Sequence, residues 1–153
     1  MIIFNIEELP LKRTKSVLAF GHFNTIHPGH IRYLKHAKEQ GELLFVALRG
    51  DQDKDIKYQF TQKDRAESLN LLSIADYIFC LKNDELDKLI EKLKPTKLVF
   101  GNEFKRTKDP NINKAIEIQT RNNGLTLFHA GEINYASTDL LSGSEFELIE
   151  KRK

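Results

Sequence analysis

Residues 21–30 read Gly-His-Phe-Asn-Thr-Ile-His-Pro-Gly-His, and this stretch decides how the fold is interpreted. It follows the apolar run Ser16–Phe20 and opens a segment, Gly29–Gln40, whose apolar residues recur at helical spacing. Pro28 suits the first turn of that helix, and Gly41 ends it. A buried strand, a glycine-containing loop and a helix in this order form the first part of a strand–helix–strand unit, whose two strands are parallel.

Four more apolar runs follow along the chain. Each is short and continuous in hydrophobicity rather than alternating, which is typical of parallel strands covered on both faces. The predicted strands are Leu43–Leu48, Tyr77–Leu81, Lys97–Phe100 and Leu125–His129. With Ser16–Phe20 they predict a five-stranded parallel sheet.

Helical patterns separate these strands. They are predicted from a Thr61 cap to about Ser73, from an Asn83 or Asp84 cap to Pro95, from Asn111 to Asn122 before Asn123-Gly124, and from Thr138 onward. This alternation predicts an α/β fold with a doubly wound sheet and helices on both faces. We expect a single domain over residues 1–153, in which 1–15 are a lead-in and 138–153 a C-terminal helix or tail.

Composition excludes several classes of protein. The 24 basic and 22 acidic residues give a net charge of +2, which is too balanced to favour nucleic acid or an anionic membrane as partner. The basic cluster Lys12, Arg13 and Lys15 is therefore interpreted as solvated. No apolar run approaches the roughly 18 residues of a membrane span, and no secretory signal is expected at the N-terminus. With the single cysteine, Cys80, interpreted as a small core residue, these features predict a cytoplasmic protein.

The two histidines of residues 21–30 are the candidate chemical groups. His30 falls on the first helical turn, so His27 and His30 can face one cleft, with Gly29 leaving room for a nucleotide. The helix start is expected to offer unpaired N–H groups and a partial positive charge to phosphate. The imidazoles would donate hydrogen bonds to a transferring phosphoryl group rather than act as nucleophiles. A chance pair or a metal fragment is the alternative, although helical metal pairs are normally spaced His-x-x-x-His with a third ligand.

Gly21-His22-Phe23-Asn24, followed by His27-Pro28-Gly29-His30, resembles the cytidylyltransferase-like nucleotidyltransferase family and its Gly-x-Phe-Asp and His-x-Gly-His signatures. The resemblance runs from about Ser16 to Ile149. It is strongest to glycerol-3-phosphate cytidylyltransferases and to the adenylyltransferase part of heptose-phosphate bifunctional enzymes. It implies a Rossmann-like fold and transfer of a nucleoside monophosphate from CTP or ATP to a phosphorylated sugar or polyol, with release of pyrophosphate. It also implies Mg²⁺ held mainly by the triphosphate, and a possible homodimer.

The resemblance implies roles for further residues. His27 and His30 would stabilise the transferring group, Arg65 would bind the acceptor's phosphate, and Lys57 would lie over the phosphates. The nucleotide site would comprise Gly21, His22, Phe23, Asn24, Gly29, Gly101, Asn102, Glu103, Ala136, Ser137 and Thr138. Simpler interpretations remain open: surface cations for Lys57 and Arg65, a solvated Glu103, a helix cap for Ser137 or Thr138, an ordinary loop residue for His22, and structural roles for His36 and His129.

Three residues depart from the family pattern. Asn24 replaces the signature aspartate, Glu132 stands near an arginine of some relatives, and Asp139 replaces a threonine. Asn24 removes a negative charge from the nucleotide side of the cleft. The missing arginine and the added carboxylates of Glu132 and Asp139 weaken the attraction for a triphosphate. They leave open a non-catalytic nucleotide-binding domain. A third possibility keeps the chemistry and changes the acceptor to a pantetheine, riboflavin or nicotinamide phosphate.

Overall fold

Strands and helices alternate around one parallel sheet. A computed structural model describes residues 1–10, 15–24, 26–51, 59–82 and 85–128. The strands are β1 (Ile2–Ile3), β2 (Ser16–Gly21), β3 (Leu43–Leu48), β4 (Tyr77–Cys80), β5 (Lys97–Phe100) and β6 (Leu125–Phe128). The helices are α1 (Pro28–Glu39), α2 (Gln62–Leu71), α3 (Leu86–Leu93) and α4 (Pro110–Arg121), with 3-10 turns at Ile6–Glu8 and Asn102–Phe104. None of the described helices is long and apolar enough to cross a membrane.

The strand order is β1-β4-β3-β2-β5-β6, and every pair is parallel. From β2 the chain moves outward through β3 and β4, then returns to the other side of β2 for β5 and β6. The order therefore reverses between β2 and β5, as it does in doubly wound sheets. This confirms the predicted α/β fold.

The two faces of the sheet carry separate cores. Alternate residues of β2 point to opposite faces, so Val17 and Ala19 pack with α1 and α2, whereas Leu18 and Phe20 pack with α3 and α4. This double coverage explains why the strands are continuously apolar. Cys80 belongs to the core on the α1 and α2 face, where it is 2% exposed, as predicted. Burial raises its pKa to about 11; nearby Arg65 lowers the pKa and Asp51 raises it.

The prediction of five strands is wrong, because a further strand lies within residues 1–15, which were predicted to be a lead-in. Ile2 and Ile3 pair with Ile78 and Phe79 of β4, and Ile3 is only 2% exposed. Leu9 also packs into the core. A two-residue strand is too short to be recognised from hydrophobic pattern, which needs about four residues. Within the described residues the sheet therefore has six strands.

The predicted boundaries of helices and strands lie within two residues of those observed wherever the residues are described. Thr61 caps α2 as predicted, because its Oγ1 accepts the N–H of Asp64 at 3.2 Å. The predicted cap of α3 is corrected, since Glu85 occupies the N-cap position. Its carboxylate accepts the N–H of Lys82 at 3.1 Å, outside the helix. The error arose because Asn and Asp are the favoured cap residues and glutamate is not.

Candidate active site

The candidate site lies where the strand order reverses. The pairing of β2 with β5 ends at Ala19 and Val99. Beyond that point the buried hydroxyl of Tyr33, from α1, lies 3.1 Å from the carbonyl oxygen of Phe20 and 2.8 Å from that of Val99. In open parallel sheets ligands bind beyond the carboxyl ends of the strands at such a reversal. The described residues of the loop between β2 and α1, 22–24 and 26–27, are here called the histidine loop.

The structure brings the two imidazoles of the predicted pair together at the start of α1. Their ring centroids are 3.9 Å apart, with 31° between the ring planes. Nδ1 of His27 accepts the N–H of Gly29 at 3.0 Å, and Nδ1 of His30 accepts the N–H of His27 at 3.2 Å. In a neutral imidazole an accepting Nδ1 leaves the proton on Nε2. The reciprocal cap therefore favours the Nε2–H tautomer of both rings, the form that donates to an anionic oxygen.

The expectation that the start of α1 offers unpaired N–H groups to phosphate is wrong for its first turn. Pro28 has no N–H, and the N–H of Gly29 bonds to the ring of His27. The N–H groups of His30 and Ile31 both point to the carbonyl oxygen of His27, at 2.9 and 3.3 Å. The helix start still contributes the partial positive charge of its dipole. Hydrogen bonds to a phosphate would therefore come from the imidazole Nε2–H groups.

Two glycines make room for the rings of the histidine loop itself. A Cβ on Gly29 would lie 2.7 Å from Cε1 of His27, and one on Gly21 would lie 2.7 Å from Cε2 of Phe23. The expected space for a nucleotide over Gly29 is thus occupied by a histidine ring. Phe23 has a left-handed φ of 49° and is 3% exposed, and its ring centroid is 5.3 Å from that of His30. Phe23 therefore packs against His30 from inside the fold.

His22 connects the histidine loop to the turn that follows β5. Its ring stacks on Phe104 with centroids 5.9 Å apart and 27° between planes, and meets Phe20 edge-on at 6.4 Å. The same turn contains the predicted nucleotide-binding residues Gly101, Asn102 and Glu103. Two of the segments that the resemblance assigned to the nucleotide site are therefore neighbours in the structure.

Asn24 joins the histidine loop to the segment before α2. Its Oδ1 accepts the N–H of Gln59 at 3.0 Å. An aspartate, which the family signature has here, could accept the same hydrogen bond. The replacement therefore preserves this contact while removing one negative charge.

Arg65 lies inside the fold, so its interpretation as an ordinary surface cation is wrong. Its side chain is 1% exposed. The guanidinium donates to the carbonyl oxygen of His22 at 2.6 Å, to Oδ1 of Asp51 at 2.7 Å and to the carbonyl oxygen of Phe60 at 3.2 Å. Binding of an acceptor phosphate by this group stays a prediction.

The sequence analysis missed polar residues at the carboxyl ends of β3 and β4. Arg49 directly follows β3, and its Nη2 lies 3.0 Å from a carboxylate oxygen of Asp109. Gln62 begins α2, and its Nε2 donates to the carbonyl oxygens of Leu48 at 2.9 Å and Leu81 at 2.7 Å. For Arg49 the available signal was position, because a polar residue directly after a buried strand lies at the same sheet edge as the histidine loop. Gln62 begins a helix and had no such signal.

Several predicted residues lie outside the described part of the chain: Lys57, Ala136, Ser137 and Thr138, together with Glu132, Asp139 and His129. Their roles stay predictions. Among the residues that are described, no group of three histidine, cysteine or carboxylate side chains is arranged to hold a metal ion.

Comparison with known sequences places the motif in a family. The family described as cytidylyltransferase-like matches residues 18–141. The bifunctional protein HldE of Campylobacter concisus is 36% identical over 110 residues, which cover 67% of this chain and 23% of that protein. HldE of Helicobacter pylori is 36% identical over 109 residues, covering 67% of this chain and 24% of that protein. The chain thus spans about a quarter of the length of these curated relatives.

Solved structures show the same fold. The lipopolysaccharide core biosynthesis protein of Thermoplasma volcanium superposes with a TM-score of 0.62 at 22% identity, over 75% of this chain and 94% of that one. Pantothenate synthetase of Thermus thermophilus superposes with a TM-score of 0.57 at 11% identity, over 96% of this chain and 66% of that one. At these identities the likeness establishes the architecture alone.

Proposed function

The chain belongs to the cytidylyltransferase-like family, and we propose that it is a nucleotidyltransferase acting on a phosphorylated sugar or polyol, with CTP or ATP as donor. The observation that carries this proposal is the pair His27 and His30, whose ring centroids lie 3.9 Å apart and whose mutual cap favours Nε2–H donors where the strand order reverses. The sequence similarity to HldE proteins supports a sugar phosphate as acceptor. The product would be a nucleotide-activated sugar or polyol.

The proposed reaction is a displacement at the α-phosphorus of the triphosphate. An oxygen of the acceptor's phosphate forms a bond to that phosphorus, the bond from it to the oxygen bridging to the β-phosphate breaks, and pyrophosphate leaves. Negative charge is redistributed over the transferring group and the leaving group as this happens. The Nε2–H groups of His27 and His30 would donate to these oxygens. One well-placed donor of this kind is worth roughly 3 kcal/mol of transition-state stabilisation.

The site suits a triphosphate that brings its own magnesium. Within the cap each imidazole uses Nδ1 as an acceptor, which puts the ring proton on Nε2 and provides no lone pair there for a cation. Mg²⁺ prefers oxygen ligands and is commonly held in part by substrate phosphates. We therefore propose that Mg²⁺ is held mainly by the triphosphate and partly offsets its charge.

The remaining roles are proposed from the resemblance. Lys57 would lie over the phosphates, and Ala136, Ser137 and Thr138 would hold the outer phosphates. Gly101, Asn102 and Glu103, in the turn beside His22, would hold the ribose and base. We place the reaction in the cytoplasm, and a homodimer is part of the same proposal.

A substrate matrix tests this function. The four common nucleoside triphosphates are each combined, with Mg²⁺, with a panel of sugar and polyol phosphates, and pyrophosphate release is followed. We expect sustained release with CTP or ATP and at least one of these acceptors. Reactions without acceptor, or with the dephosphorylated acceptor, serve as controls and should stay at background.

Two results would contradict the proposal in different ways. Calorimetric binding of a triphosphate without pyrophosphate release with any acceptor would identify a non-catalytic nucleotide-binding domain. Release only with a pantetheine, riboflavin or nicotinamide phosphate would keep the chemistry and replace the acceptor class.

A further inference from the structure

We propose that Arg65 is a positioning residue that holds the histidine loop in its active geometry without contacting the acceptor. This inference rests on the proposed function for its kinetic consequences. It differs from the role that the family resemblance implies for Arg65, which is direct binding of the acceptor's phosphate. The two roles predict different kinetics and different effects of replacing Arg65 by lysine. They also predict different histidine ring spectra for the protein without substrate.

The guanidinium of Arg65 is surrounded by oxygens from three separate segments. His22 belongs to the histidine loop, Asp51 follows β3, and Phe60 precedes α2. All three guanidinium nitrogens of Arg65 donate to these oxygens, and the side chain is 1% exposed. A planar fork of five N–H donors can serve several acceptors in fixed directions at once. Arg65 therefore joins three segments that are distant in sequence.

Arg65 is itself held in place by Asp51, which also contacts the start of α2. The carboxylate of Asp51 accepts from Arg65 through Oδ1 and from the N–H of Gln62 through Oδ2, at 2.7 and 3.1 Å. The side chain of Gln62 donates to the carbonyl oxygens of Leu48, the last residue of β3, and of Leu81, which directly follows β4. The start of α2 is thereby attached to the edge of the sheet. The carbonyl of His22 is held by a group that cannot shift independently of the sheet.

A second hydrogen bond joins the histidine loop to the segment before α2. Oδ1 of Asn24 accepts the N–H of Gln59, one residue before the carbonyl that Arg65 holds. The segment before α2 and the histidine loop are therefore clamped at two points. Because Asn24 lies only three residues before His27 in the chain, loss of the clamp should displace the imidazoles. A displacement of about 1 Å in a catalytic group can cost roughly 10²-fold in rate.

Three variants and one control separate positioning from phosphate binding. Arg65→Lys keeps the charge but loses the planar fork, Arg65→Met loses both, and Asp51→Asn removes the charged partner while keeping its shape. Arg121→Met is the control, because Arg121 pairs with Glu91 at the end of α4 and is 67% exposed. The turnover number and the KM of each substrate are measured with the pair that gives pyrophosphate release. Long-range ¹⁵N–¹H spectra of the histidine rings are recorded without substrate.

Positioning predicts that both Arg65 variants lose about tenfold or more in kcat, while the KM of the acceptor changes by less than about threefold. Asp51→Asn should lower kcat in the same direction by a smaller factor, and Arg121→Met should match the wild type. The ring signals of His22 and of the His27–His30 pair should shift in the Arg65 variants. The signals of His36 should stay in place. If the Arg65 variants do not fold, the kcat and the acceptor KM of Asp51→Asn distinguish positioning from phosphate binding.

Direct phosphate binding predicts the reverse pattern and would overturn the proposal. The KM of the acceptor would rise about tenfold or more with kcat retained, Arg65→Lys would recover much of the loss, and the ring spectra would match the wild type. The spectra need no substrate, so they test the clamp separately from the reaction. A wild-type protein without turnover would refute the proposed function, while unchanged ring spectra in the Arg65 variants would refute the clamp.

Discussion

Removing the hydroxyl of Tyr33 tests whether the opening between β2 and β5 is stabilised from α1. The hydroxyl lies within hydrogen-bond distance of the carbonyl oxygens of Phe20 and Val99, at the point where the ladder between the two strands has ended. Tyr33→Phe keeps the ring and deletes only the donor. Phe20 is 2% exposed and Val99 is fully buried, so water has little access to replace it.

The expected cost follows from the burial of these acceptors. A hydroxyl has one proton, so Tyr33 can satisfy only one of the two carbonyls at a time, and a single hydrogen bond is counted. Leaving a buried polar group unpaired costs about 1–3 kcal/mol. For a chain of this size, each kcal/mol lowers the melting temperature by roughly 2–4 °C.

Equilibrium urea unfolding followed by circular dichroism measures this cost. The midpoint should fall while the slope stays constant, because the surface exposed on unfolding is unchanged. Tyr77→Phe is the matched control: its ring stacks on Phe45 at 4.8 Å, and no hydrogen bond of its hydroxyl is seen within the described residues. The control should change stability by less than about 0.5 kcal/mol. A Tyr33→Phe effect no larger than that of the control would refute the reasoning.

Three further predictions concern the cap, the thiol and a glycine. His27→Asn should retain the α1 cap and the melting temperature, whereas His27→Ala should lose about 1 kcal/mol of unfolding free energy. Both variants should lose roughly 10²-fold in single-turnover rate. Full activity in the asparagine variant would exclude the imidazole of His27 from the reaction. Cys80, with its pKa raised from 9.0 to about 11, should react with a thiol reagent about 100-fold more slowly in the folded than in the urea-unfolded protein at pH 8. Between these two pKa values the folded protein keeps the thiol proton that the unfolded protein loses. The unfolding free energy should therefore fall as pH rises from 9 to 11. Cys80→Ala should lack the part of this pH dependence that comes from the thiol. Gly124→Ala should destabilise by about 1–3 kcal/mol in thermal unfolding, because its Cβ would lie 2.1 Å from Nε2 of Gln119; an unchanged melting temperature would show that Gln119 can move aside.

The sheet was predictable because each long strand is covered on both faces. Runs such as Leu43–Leu48 are continuous in hydrophobicity, and the helices between them have clear ends, including Asn123, whose φ of 64° stops α4 as predicted. The edge strand Ile2–Ile3 was not predictable in this way. Its assignment depends on pairing with β4, which lies more than seventy residues further along the chain.

The position of the histidine pair was predictable, and its internal geometry was not. The order of strand, loop and helix placed His27 and His30 at the start of α1, where the structure has them. Their reciprocal cap escaped prediction because histidine is not among the usual N-cap residues. That cap also accepts the N–H of Gly29, whereas the N–H groups of His30 and Ile31 bond to the carbonyl oxygen of His27.

The burial of Arg65 could not be predicted from local sequence. Charged residues on helices are mostly exposed, and the period of α2 alone gives no sign of an internal partner. The oxygens that accept its hydrogen bonds come from residues 5, 14 and 43 positions earlier in the chain. Only the folded arrangement brings them together. The same holds for Arg49 and Asp109, which are 60 positions apart.

The most direct test of the account is the single-turnover rate of nucleotidyl transfer from α-labelled triphosphate in His30→Ala, compared with His36→Ala. His36 is an imidazole of the same helix that contacts Gln40 and lies outside the histidine loop. With both substrates saturating, we predict that His30→Ala loses about 10²-fold or more in rate while keeping its fold. His36→Ala should transfer label at close to the wild-type rate. Wild-type transfer by His30→Ala, or an equal loss in both variants, would contradict the assignment of the chemistry to the paired imidazoles.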